Sequence, residues 1–166
     1  GANIANLVMV RASGRRAGLA ILLVERSRFP RAKVCGGCLN QSAVEALQGA
    51  GLGEALAGLG GRMITAVRLR QGRRQAIIEV PPGIAVSRGR LDALLVRAAV
   101  EAGAEFLPET TASIPRESAE DARSGYRTVD LHAHGLRTGQ LRARVVVAAD
   151  GLAQTSLRAC GEFESL

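Results

Sequence analysis

The sequence has no tryptophan, one tyrosine and three phenylalanines, so aromatic residues are only 2% of its 166 positions. A core built from this chain must be packed with leucine, valine, isoleucine and alanine, and the 47% apolar fraction is ample for that. The same scarcity argues against nucleic acid as a partner. The formal charge is +7, but the arginines are dispersed and no aromatic residues alternate with them as platforms for bases. A solvated basic surface is the plainer reading. Lys33 is the only lysine.

Cysteine is scarce and odd in number. Cys35, Cys38 and Cys160, without a secretory leader, argue against a disulfide framework and for a reducing, cytoplasmic setting. The opening residues GANIANLVMVRASGRR lack the basic-then-apolar order of a signal peptide. No apolar run approaches the ~20 residues that span a bilayer, so no transmembrane segment is expected; association with a membrane surface stays open. His132 and His134 stand at strand spacing, facing one way, with no acidic or cysteine partner nearby, and a metal is not expected. No serine nucleophile motif and no phosphate loop ending in Gly-Lys-Ser/Thr is present.

What is present is concentrated in Ala20–Leu39, AILLVERSRFPRAKVCGGCL. An unbroken aliphatic run reads as a buried parallel strand. Glu25 ends it, where a Rossmann-type site holds a ribose hydroxyl. Gly36 and Gly37 let a backbone pass close to something flat or charged. A nucleotide cofactor is the implication. Upstream, Gly1, a following helix and Glu25 have about the spacing of a dinucleotide-binding turn. Asn3 and Asn6 occupy the second and third glycine positions, however, and no strand precedes Gly1.

The pattern predicts a helix over 5–17, a strand over 19–25, a loop over 27–40 and a helix capped by Asn40 or Ser42. A short helix is expected near Glu54–Leu59. A strand from Met63 turns at Gln71–Arg74 into Gln75–Val80, which Pro81-Pro82-Gly83 ends. Ile84–Arg88 reads as a short strand, Arg90–Glu101 as a helix closed by Gly103, and Ala104–Leu107 and Thr110–Ile114 as strands. Residues 115–125 read as a surface loop. Tyr126–His132 and Leu141–Ala149 read as strands around a Gly135–Gly139 turn, the second buried throughout. The fold class is therefore α/β: a partial Rossmann-like domain with inserted antiparallel strands. Residues 1–166 read as a single incomplete domain, in which 63–86 and 104–140 contribute the antiparallel strands.

Three segments carry a resemblance. Glu25-Arg26 … Phe29-Pro30-Arg31 … Lys33-Val34-Cys35-Gly36-Gly37 … Leu39 is similar to the start of flavoprotein oxidoreductases of the geranylgeranyl reductase type, within the p-hydroxybenzoate hydroxylase-like superfamily. Arg88-Gly89-Arg90-Leu91-Asp92 resembles that family's Arg-x-x-Leu/Phe-Asp segment. Val145–Gly151 with Ser156-Leu157-Arg158 resembles its Asp-Gly motif. The resemblance implies an FAD-binding domain in which Glu25 takes the adenosine ribose and Arg26 lies at the adenine end. Cys35, Gly36 and Gly37 would line the isoalloxazine side, Arg88 would reach the pyrophosphate or ribityl chain, and Asp150 and Gly151 would shape the turn beside it. Gly1 would belong to the phosphate turn.

The implied reaction is hydride transfer through the flavin to or from an apolar or aromatic small-molecule substrate, with NAD(P)H as an electron donor to consider. Family members continue well beyond Leu166, so the chain reads as a fragment or a degraded copy, expected to hold FAD weakly or not at all. Two plainer roles stand beside these: Arg88 merely pairing with Asp92 one turn on, which rivals its cofactor role, and Asp150 capping a helix, which is compatible with the flavin role. A truncated non-catalytic remnant is the alternative function. A dithiol redox protein using Cys35-Gly36-Gly37-Cys38 is a third.

Overall fold

The computed structural model describes residues 8–12, 20–32, 35–149, 155–158 and 160–161. The chain divides into two compact units, Gly1–Arg31 with Val96–Leu166, and Ala32–Leu95. The first is built on a six-stranded sheet. Its strands are β1 (Val8–Ala12), β2 (Ala20–Val24), β6 (Glu105–Leu107), β7 (Thr110–Ser113), β8 (Arg127–Ala133) and β9 (Leu136–Ala148), in the order β6-β2-β1-β9-β8-β7. The second unit holds β3 (Cys38–Leu39), α1 (Gln41–Gly49), α2 (Gly53–Ala57), β4 (Arg62–Gln71), β5 (Arg74–Ala85) and the start of α3 (Arg88–Glu101). Its sheet has the order β3-β5-β4.

The aliphatic run behaves as its composition demands. Leu22, Leu23 and Val24 are buried, and β2 pairs in parallel with β6, Leu22 opposite Glu105 and Val24 opposite Leu107. Leu22 and Val24 join Ala112, Ile114, Val129, Ala143 and Cys160 in one core. The second unit packs Leu56, Val86 and Leu91 together, with Leu39, Val44, Leu47 and Leu95 against them. Asn40 caps α1, its side-chain oxygen accepting from the Ala43 amide at 2.9 Å.

Several expectations are corrected. Within the predicted helix 5–17, Val8–Ala12 is a strand; the rest of that span lies outside the described residues. Leu-Val-Met-Val fits either period, and pairing with both β2 and β9 decides for the sheet. The Pro-Pro-Gly stop does not end a strand. β5 runs on to Ala85 because the ladder skips from Ile64 opposite Gly83 to Ala66 opposite Glu79, so neither proline has to donate. Arg88 then opens α3 instead of closing a strand. β3 is a short strand inside the predicted 27–40 loop.

The predicted 115–125 loop contains α4 (Ala119–Ser124), started by a capping box between Ser118 and Asp121. The Gly135–Gly139 turn is tighter than expected. His134 (φ 51°) and Gly135 (φ 77°) make the bend, and Gly139 lies within β9. Both central residues having positive φ is the pattern of a type I′ hairpin. The end of β9 is not buried throughout, since Val145 and Val147 are exposed. β1 and β8 flank β9, so the alternate side chains of this run sit on an uncovered face of the sheet.

Candidate functional site

In the first unit, Glu25 follows β2 and is fully buried. Its backbone is held on both sides: its amide donates to Leu107 O at 2.9 Å and its carbonyl accepts from the Thr110 amide at 3.0 Å. The carboxylate Oε1 accepts from the Ser27 amide at 2.9 Å. Oε2 has no hydrogen bond and faces Arg31, whose Nη2 is 3.5 Å away. Arg31 is partly exposed, and its buried Nε also makes no hydrogen bond. Phe29 packs edge-on against Phe106 with ring centroids 5.1 Å apart, tying the loop after β2 to β6. A buried carboxylate oxygen without a donor is uncommon because desolvating it costs free energy. Oε2 is thus an acceptor engaged by the Arg31 ion pair alone among the described residues.

In the second unit, Cys35, Gly36 and Gly37 precede β3. The Gly37 carbonyl accepts from the Val86 amide at 2.7 Å, fixing this loop to the strand end before α3. Gly37 has φ +66°, and a Cβ there would press on the Val86 carbonyl at 3.1 Å; nothing lies within 4 Å of a Cβ at Gly36. Cys35 and Cys38 are exposed free thiols. The Gly37 amide on the Cys35 sulfur, seconded by the Arg88 guanidinium, lowers that thiol's pKa against the opposing effects of desolvation and of Asp92. The Cys38 thiol instead donates to the Gly36 carbonyl at 3.2 Å. Arg88 Nε donates to Asp92 Oδ1 at 2.6 Å with both side chains buried, so the helix pair anticipated between them is present.

Gly36, Gly37, Gly60, Gly61, Arg62 and Arg90 line an open cavity of about 310 Å3 in the same unit. A Cβ at Gly61 would collide with Ile84 and the Ala85 carbonyl. Glycine walls and two guanidiniums suit a flat ligand with acceptor atoms. The second glycine pair was visible in the sequence but was not read as part of a site. Arg31 and Ser27 were also missed as partners of Glu25.

The structure thus brings Cys35 and Arg88 together, with Gly36 and Gly37 in the same loop, and places Glu25 and Arg26 at the end of β2. Gly1, Asp150 and Gly151 lie outside the described residues. His132 and His134 line one cavity, although His134 stands in the turn and not on the strand. Among the described residues no group of three His, Cys, Asp or Glu could hold a metal, and no helix is long and apolar enough to cross a membrane.

Residues 14–164 match the family described as FAD binding domain. The chain belongs to this family. Among solved structures, the FAD-binding domain is similar to a triple mutant of the flavin-dependent brominase Bmp2 (23% identity, TM-score 0.60), covering 76% of this chain and 31% of that one. It is similar to CmlS, a flavin-dependent halogenase (19%, TM-score 0.60), covering 76% of this chain and 24% of the other. It is also similar to a flavoprotein/dehydrogenase from Cytophaga hutchinsonii (20%, TM-score 0.61), covering 74% and 31%. At these identities the likeness is one of fold, and the chain spans about a quarter to a third of the length of those proteins. No curated protein matches the sequence.

The fold class is a partial FAD-binding domain of mixed α/β type with antiparallel sheets. FAD is the cofactor of the family, and the residues described here fit it at one testable point: the buried Glu25 Oε2 lacks a hydrogen-bond donor where an adenosine ribose would offer two.

Proposed function

We propose that this chain is part of an FAD-dependent oxidoreductase of the geranylgeranyl reductase type. In this reading residues 1–166 belong to one FAD-binding domain. The observation that carries the reading is the buried, donor-lacking Glu25 oxygen at the tip of a strand paired in parallel. Glu25 would hold the ribose hydroxyls, with Oε1 fixed by the Ser27 amide and with Arg31 swinging toward solvent to open Oε2. Arg26 would flank the adenine end. Cys35, Gly36 and Gly37 would border the isoalloxazine, the glycines removing bulk there. Arg88, its Nε engaged by Asp92, would aim its terminal nitrogens at the pyrophosphate or ribityl chain. Asp150 and Gly151 would shape the turn beside that chain, and Gly1 would belong to the phosphate turn.

The bound flavin would supply two-electron hydride chemistry, here directed to or from an apolar or aromatic small molecule, with NAD(P)H as the electron donor. The protein's part is to hold the dinucleotide and keep the ring's surroundings free of bulk.

The phosphate end is the weak part. β1 runs antiparallel to β2, with Val8 opposite Val24 and Ala12 opposite Ala20. A glycine turn after a parallel first strand would sit at the Glu25 end of the sheet; here the chain leaves β1 at the opposite end. The same feature supports the second reading, a non-catalytic remnant.

The expected behaviour of the 166-residue chain is therefore purification without stoichiometric flavin, and weak titratable binding in which FAD is preferred over FMN, which lacks the adenosine. Glu25→Gln keeps the Ser27 contact but not the charge. It is expected to reduce that preference by about tenfold or more, the worth of one charged hydrogen bond. Equal binding of FAD and FMN by the unmodified chain would refute the assignment of Glu25; a stoichiometric bound flavin would refute the weak phosphate end.

A further inference from the structure

We propose that the cavity between the β6–β7 and β8–β9 turns of the first unit is a binding site for a phosphomonoester with a hydroxyl-bearing body, such as a sugar phosphate. The cavity is about 500 Å3 and is lined by Arg26, Arg28, Glu109, Thr111, His132 and His134, with Gly135 at its edge. Its walls are fixed: the Glu109 amide donates to the Ser27 carbonyl at 3.3 Å and the Thr110 amide to the Glu25 carbonyl at 3.0 Å. Both histidines of the chain lie here.

Backbone conformation points to the same place. Among the described residues, two non-glycine residues have positive φ, Glu109 (54°) and His134 (51°), and both line this cavity. The left-handed region costs an ordinary residue about 1–2 kcal/mol. A type I′ turn prefers asparagine, aspartate or glycine at its first central position. Histidine and glutamate at such positions bring functional side chains to one hollow at the expense of the turn.

The chemistry of the lining selects the ligand. Two guanidiniums, Arg26 and Arg28, line the cavity with one carboxylate, and guanidinium forks match phosphate oxygens in pairs. The imidazoles and the Thr111 hydroxyl add donors, while Glu109 is the acceptor for a ligand hydroxyl. No three-group metal cluster forms among the described residues. The volume lies within the roughly 300–1,000 Å3 of small-molecule sites and exceeds what a free phosphate fills. Arg26 is shared with the proposed adenine end; Arg28, His132 and His134 have no part in the flavin reading.

The test uses the full chain and its two histidines as reporters, because their imidazole proton signals are the only two of their kind. Titration with ribose 5-phosphate should shift both signals saturably, while ribose should not. Arg28→Ala and His134→Asn should each weaken that binding by about tenfold or more with unchanged circular dichroism, asparagine being at home in the left-handed turn. The proposal is overturned if ribose 5-phosphate moves neither signal up to about 10 mM, if ribose binds as tightly, or if both variants bind like the parent. It is also overturned if ADP binds and ribose 5-phosphate does not, which would make the hollow an extension of the cofactor's own phosphate end. FAD titration is read separately, so failure here leaves the flavin assignment standing.

Discussion

Removing the carboxylate of Asp92 is expected to destabilise the second unit severely. Arg88 sits in the first turn of α3, where the helix dipole disfavours a cation. It is also buried, at 9% relative exposure. Asp92, one turn on and 2.6 Å away, offsets both penalties. Asp92→Ala leaves a guanidinium in a poorly solvated place without its counter-charge, a change worth about 3–5 kcal/mol. That is a large share of the 5–15 kcal/mol that holds ordinary domains together. With a urea dependence of about 1–3 kcal/mol per molar, the midpoint should fall by roughly 1–5 M.

The control is Arg88→Met with Asp92→Leu, which removes both charges and keeps the volume. It should lie within about 2 kcal/mol of the parent, since a buried pair gains little over apolar packing. Urea titrations followed by circular dichroism measure all three proteins. An Asp92→Ala cost below about 1 kcal/mol would mean that the pair behaves like a solvated surface bridge. A double variant as unstable as the single one would mean that packing, not charge, is lost. Either result refutes the reasoning.

Asp121 gives a pH prediction. Burial alone would raise its pKa, but hydrogen bonds from the Thr128 hydroxyl, the Ser118 amide and the Ser118 side chain outweigh burial and lower it. A depressed carboxylate contributes stability above its unfolded pKa and loses it as pH falls through the folded value. Asp121→Asn should therefore lower the melting temperature at neutral pH, and the gap to the parent should close in strong acid; a gap constant with pH would contradict this. The glycine pair separates fold from ligand. Gly37→Ala should destabilise by about 1–2 kcal/mol because of its left-handed backbone and the Val86 carbonyl. Gly36→Ala meets no atom within 4 Å, so its melting temperature should match the parent and any loss of flavin binding would report contact with the ligand.

The second family segment shows how a residue can carry two readings that the sequence alone does not separate. Arg88 and Asp92 were legible both as a helix pair and as a cofactor motif; the pair is present, and it also orients the arginine beside Cys35. The helix at Ala119–Ser124 was legible in Ser118-x-x-Asp121 but was outweighed by the polar composition around it. Its stability comes from side-chain caps and from Thr128 on β8, whose hydroxyl donates to Asp121 seven residues away in sequence.

By itself the sequence determined the buried strand Ala20–Val24, the acid at its tip, the capped helix after Asn40 and the hairpin at Gly72, because each depends on local period, a side-chain cap or a permissive backbone angle. Of these, only Glu25 belongs to the segments that carried the flavoprotein resemblance. Only tertiary structure decided that Val8–Ala12 is a strand, that β5 passes through two prolines, that β9 is left uncovered at Val145 and Val147, and that Glu25 Oε2 has no donor. Each of these is set by which segment lies alongside and by what is shut away from water. Neighbours brought together from distant parts of the chain leave no periodic mark on it.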